Sequence, residues 1–130
     1  MSNIFMGILA VAAILFSWKT MHNNPAKLIA GRTFYVTNRH PDSYSNAANN
    51  PEQASILFKK DGKVEYTSIS DHINGQWSLN GNEIEIGTFI DSDRNYIDLA
   101  DTDSLENHDV YFLKFRDGSN AFKYFLVAKD

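Results

Sequence analysis

The sequence predicts a mainly β fold: an N-terminal transmembrane helix followed by a small antiparallel up-and-down β-barrel of about eight strands. Three observations predict it. Short apolar runs with period-two alternation, punctuated by Gly, Asn, Asp and Ser, recur from residue 31 onward. Tight-turn dipeptides stand between them at Asp61-Gly62, Gly81-Asn82 and Asp117-Gly118. Residues 2–18 carry no charge and are almost wholly apolar. The chain therefore divides into an anchor helix (1–21), a linker (22–30) and a β-barrel domain (31–130).

About 17 uncharged residues at a rise of ~1.5 Å span roughly 26 Å, close to the ~30 Å of a hydrocarbon core. Trp18 and Lys19 stand where an interfacial aromatic and a basic anchor belong. A cleaved signal peptide is the competing reading, but no Lys or Arg precedes the apolar run and no small-x-small site closely follows it. Lys19, Lys27 and Arg32 all lie on the C-terminal flank, which favours the β domain on the cytoplasmic side of a single-pass protein. Pro25 ends the helix, since it lacks an N–H and pushes its predecessor toward an extended conformation. The short tether leaves Lys27 and Arg32 either solvated or touching anionic lipid, at about 1 kcal/mol each.

Residues 31–37, rich in aromatic and β-branched side chains, read as the first strand. The polar stretch 38–51 is a long connection, expected to be a lid or a mobile loop, with Tyr44 its only bulky apolar residue and a candidate for the mouth of a pocket. Residues 54–59 turn at Asp61-Gly62 into 63–69, which puts Ile56 and Phe58 across from Val64 and Tyr66 on one face. Ile73 enters the Trp77 strand. The central hairpin follows: Trp77 and Leu79 alternate with Gln76, Ser78 and Asn80, Gly81-Asn82 supplies the positive φ, and Ile84 and Ile86 alternate with Glu83 and Glu85. In the acidic segment 91–109, Tyr96, Ile97 and Leu99 form a short strand; residues 110–115 and 121–127 complete the meander. Pairing the last strand with the first closes it and removes the exposed edges.

Leu28-Ile29-Ala30-Gly31-Arg32-Thr33-Phe34, then Phe58-x-x-Asp61-Gly62-Lys63, then Gly75-x-Trp77-x-Leu79-x-Gly81-Asn82-x-Ile84-x-Ile86 resembles the bacterial lipocalin-like small domains over residues 28–127. The first strand departs from that pattern, with Phe34 where the family has a tryptophan one place earlier. The resemblance implies a cavity for a small apolar ligand or a surface for a protein, and no cofactor.

A net charge of -4 with no basic stripe argues against nucleic acid as a partner. The absence of cysteine excludes disulfides, a thiolate nucleophile and Cys-ligated zinc. His22, His40, His72 and His108 have no metal-binding spacing and read as solvated loop residues, so no metal is expected. Asp91-Ser92-Asp93-Arg94-Asn95 opens like a calcium loop, but Tyr96 stands where that loop needs glycine and Thr102 where it needs glutamate. Glu83 and Glu85 share a face opposite Ile84 and Ile86, so water is their expected neighbour and no catalytic residue is assigned. The aromatics, among them Phe34, Phe58, Tyr66 and Trp77, either fill the interior or line a ligand cavity. Trp77, Phe34, Phe58, Tyr66 and Tyr44 are the ligand-binding candidates under the second reading.

The functional expectation is a membrane-anchored, non-catalytic β-barrel interaction module. Membrane lipid would be met through the helix, and a protein partner in a membrane assembly. The alternative is a binder of a small apolar ligand.

Overall fold

The computed structural model describes residues 25–88, 94–116 and 124–129. The anchor helix expected at 1–21 lies outside these residues, and among the described residues no helix is long and apolar enough to cross a membrane. A 3-10 helix, Pro25–Leu28, leads into β1 (Thr33–Thr37), and a short helix α1 (Tyr44–Ala48) precedes β2 (Ser55–Phe58). β3 (Lys63–Thr67), β4 (His72–Asn80), β5 (Glu83–Thr88) and β6 (Arg94–Asp98) follow. β7 (Asp103–Leu105), β8 (His108–Phe115) and β9 (Tyr124–Ala128) complete the order.

All neighbours are antiparallel; β1 to β6 pair in sequence order, β7 pairs with β8 and β8 with β9, and β9 returns to β1, with Phe34 opposite Ala128 and Val36 opposite Leu126. The ring also closes between β6 and β8, where Asn95 faces Phe115. β7 pairs with the same edge of β8. Seven steps from Tyr96 to Asp103 are matched by four from Lys114 to Val110, so β6 and β7 are one stave of the barrel interrupted by three extra residues. The interruption tucks Leu99 into the core and ties its N–H to Asn82 O at 3.0 Å. The result is an eight-stave closed barrel, as the meander predicts, with β7 as a piece that is too short and too acidic to be read from sequence.

The turns form where glycine permits them. Gly62 (φ +90°) and Gly81 (φ +62°) occupy the left-handed region, in which a Cβ is strained. Asp61 Oδ1 accepts from Lys63 N at 3.1 Å and fixes the first of these turns.

Period-two burial sets the interior. Phe34, Ile56, Phe58, Val64, Ile84, Ile97, Leu113 and Leu126 are wholly buried, and Ile86 nearly so. Phe34 stands edge-on to Phe58 (5.9 Å between centroids) and to Tyr111 (5.8 Å), and Phe58 to Trp77 (6.2 Å). The strand registers place the 3-10 helix, the Asp61-Gly62 and Gly81-Asn82 turns and Lys129 at one end, the base of the barrel. Ile29, wholly buried, plugs that base, and Gly31 N donates to Phe58 O. Arg32, expected to be solvated or at a lipid surface, is instead folded in. It donates to Leu28 O and to Asp109 Oδ2 (3.1 Å) and lies over the Phe34 ring.

Burial pushes the Tyr111 hydroxyl above its ordinary pKa; the Asp109 charge adds to the shift and the neighbouring Arg32 opposes it. A group whose folded-state pKa is raised contributes stability that is fully present below its unfolded value and is lost as pH rises through the folded one. Stability should therefore fall above about pH 10. Denaturant midpoints measured across that window should drop less steeply for Tyr111→Phe than for the unaltered chain.

Candidate functional site

The aromatic candidates separate by position. Phe34 and Phe58 are wholly buried against other rings, so this part of the interior is occupied by side chains. Trp77 is half-buried; its indole N–H donates to Lys59 O (2.8 Å) and its amide to Gly62 O, which pins it under the β2–β3 turn at the base. Tyr66, Ile73 and Tyr124 pack partly buried against the core, Tyr66 opposite Ile73 on β3 and β4.

Tyr44, expected at the mouth of a pocket, is placed by the structure on the 38–51 stretch outside the strands. It stands against the outer wall: its N–H donates to Glu106 Oε1 (2.9 Å), its hydroxyl to Lys129 O, and its ring stacks on His108 (3.7 Å) and meets Tyr35 edge-on. The stretch 38–51 is thus a strap laid down the outside of β1, β9 and β8. Val110, Phe112, Val127 and Ala47 form a second buried cluster beneath it, with Tyr35, Tyr44, Leu105 and Phe125 at its margin. An outward apolar face on these strands would otherwise be in water, and the strap covers it. Ser43 caps α1 by accepting from Asn46 N. Asn50, 7% exposed, locks the return: Oδ1 accepts from Ala54 N (2.9 Å) and Nδ2 donates to Ala47 O (2.9 Å).

The histidines expected in loops are partly docked. His40 packs its ring on Phe125 (5.3 Å) with Nε2 at 3.7 Å from Asp103, and His108 Nδ1 lies 3.0 Å from Ala128 O. His72 is exposed and opens β4 instead of lying in a loop.

Several charges along the barrel wall are matched. Glu83 and Glu85 do not face water alone: both accept from Arg116 (2.8 and 3.3 Å), whose guanidinium lies over the Tyr96 ring at 3.8 Å. Lys114 holds Asp101 (2.7 Å), and Lys59 holds Glu65 (2.8 Å). The Lys59 hydrogen bond lowers the Glu65 pKa and raises that of Lys59, against the opposing effect of desolvation. Asp98 Oδ1 accepts from Ala100 N. Among the described residues no group of three or more His, Asp or Glu side chains gathers as a metal site. The opening of the calcium-like motif, 91–93, lies outside the described residues.

Where the end of α1 meets β1 and β2, an open cleft of about 370 Å³ is lined by Tyr35, Ala48, Asn49, Asn50, Gln53, Ser55 and Lys129. Tyr35 and Ser55 are a registered cross-strand pair with their side chains on the outer face, and they form its floor. None of these residues was a site candidate from sequence. Only the paired strands and the strap bring them together.

The fold and this surface define an eight-stave antiparallel barrel with a strapped outer wall. Comparison with protein-family models, with curated proteins and with solved structures finds no match to this chain.

Proposed function

We propose that the protein is a non-catalytic interaction module, carried on a single-pass N-terminal anchor and acting as an accessory subunit of a membrane-associated assembly. The side-chain packing inside the barrel is the observation that carries this reading: with Phe34, Phe58, Ile84, Ile97, Leu113 and Leu126 wholly buried, the space they line is occupied among the described residues, and the outer wall is the larger surface left for recognition. Two further observations support it. Lys59, Lys114 and Arg116 are committed to Glu65, Asp101 and the Glu83 and Glu85 carboxylates instead of converging in a cleft. The base of the barrel, where residue 25 enters, is the end that a preceding helix would hold toward the bilayer. Full-length protein isolated in mild detergent after in-cell crosslinking should carry a defined protein partner at fixed stoichiometry. Recovery as an uncrosslinked monomer disposes of the proposal.

A lipocalin-like binder of a small apolar ligand is the second reading, favoured by one observation: the inward side chains Tyr66, Ile73 and Trp77 retain solvent exposure on the β3–β4 wall. In a Trp18→Phe chain, Trp77 is the sole indole. Under this reading, titration with a fatty acid should shift and quench its emission saturably, and an unchanged spectrum removes it.

A further inference from the structure

We propose that the cleft beside the strap is a binding site for a small polyhydroxylated monoanion, a sugar acid of the uronate type. The proposal concerns a small-molecule site on the outer wall and does not rest on the anchored-module reading. The cleft's volume, about 370 Å³, falls within the range of small-molecule sites and accommodates one pyranose-sized ring.

Its chemistry selects the ligand. The amide donors of Asn49 and Asn50 serve the strap itself: Asn49 Nδ2 donates to Ser45 O, and Asn50 bonds the Ala47 and Ala54 backbones. The side chains of Tyr35, Gln53, Ser55 and Lys129 make no hydrogen bond or ion pair among the described residues, although all four line the same cleft. Two hydroxyls and an amide each donate and accept, which is the pairing that vicinal hydroxyl groups require. Lys129 adds one positive charge, and among the described residues the lining holds no carboxylate to cancel it or to repel an anion. A neutral sugar leaves the ammonium without a counter-charge, and a simple carboxylate leaves the three neutral groups unanswered. A ring carrying both satisfies the set.

The fold prepares this arrangement. Tyr35 and Ser55 are held by the β1–β2 ladder, Gln53 is fixed in the left-handed region (φ 51°) with its N–H donating to Asn50 O, and Lys129 N donates to Thr33 O. Little backbone order remains to be supplied by the ligand.

The test is calorimetric titration of the full chain in mild detergent with D-glucuronate, D-glucose and acetate. D-glucuronate should bind saturably with Kd near ~1 mM, and glucose and acetate each at least about tenfold more weakly. Lys129→Gln should weaken glucuronate about tenfold, and Lys129→Arg should retain it. Ser55→Ala, also on the surface, should weaken glucuronate and glucose alike. The proposal is overturned by an absence of saturable glucuronate binding, by acetate binding as well as glucuronate, or by undiminished affinity in Lys129→Gln and Ser55→Ala. Circular dichroism of each variant confirms that the barrel is intact before its affinity is read.

Discussion

Phe34→Ala is expected to destabilise the barrel by about 3–5 kcal/mol, a large part of the ~5–15 kcal/mol available to a domain of this size. The reason is its position. Phe34 is wholly buried, edge-on to both Phe58 and Tyr111, beneath the Arg32 guanidinium, and on the strand that seals the ring by pairing with Ala128. Truncation removes the transfer free energy of the ring and leaves a cavity, which paired strands on both sides of β1 cannot collapse to fill. Urea unfolding should show a midpoint far below that of the unaltered chain, with the slope preserved if unfolding remains two-state. Phe34→Leu should cost less. A midpoint unchanged in Phe34→Ala would show that β1 is not packed as described.

The second large effect is expected at Asn50. Asn50→Ala strips the partner from the Ala54 N–H and from one acceptor site on Ala47 O, both beside a 7%-exposed position. An unsatisfied buried donor costs about 1–3 kcal/mol, so the loss should be near ~2 kcal/mol. Its location distinguishes it from a core defect. Amide exchange should accelerate across α1 and the rest of the strap while β8 and β9 keep most of their protection. Asn50→Asp retains the acceptor for Ala54 N and loses the donor toward Ala47, so it should fall between the two. Uniform acceleration over the whole barrel would instead show that the strap and the ring unfold as one unit.

These two residues also mark what the chain discloses locally and what it does not. Phe34 belongs to an alternating, β-branched and aromatic run, and alternation is a local property: it places Ile56 and Phe58 across from Val64 and Tyr66, and Ile84 and Ile86 on the buried face of the Trp77 hairpin, as found, although Leu79 of the same hairpin is exposed. Asp61-Gly62 and Gly81-Asn82 mark their turns because the backbone there needs positive φ. Pairing of the last strand with the first follows from the meander itself. The strap was hidden for the opposite reason. Tyr44 and Ala47 are isolated apolar residues in a polar stretch, and their partners Val110, His108 and Val127 lie far along the chain. No periodicity announces such contacts. Arg32 with Asp109, and Arg116 with Glu83 and Glu85, were obscured likewise, since ion pairs between distant strands depend on register and stagger. The cleft is the extreme case: Tyr35, Gln53, Ser55 and Lys129 become neighbours only after the barrel has closed and the strap has been laid down.

The seam between β1 and β9 carries a kinetic consequence. Because Phe34 must find Ala128 and Thr37 must find Phe125, the contact that completes the ring spans nearly the whole described chain, and the entropy of that long loop has to be met before its reward is collected. Folding should accordingly fall in the slow range for small β proteins, roughly milliseconds to seconds. Until the seam forms, both unpaired borders remain adhesive toward other copies. Refolding yield should therefore decline with protein concentration even under conditions where the finished barrel is fully soluble.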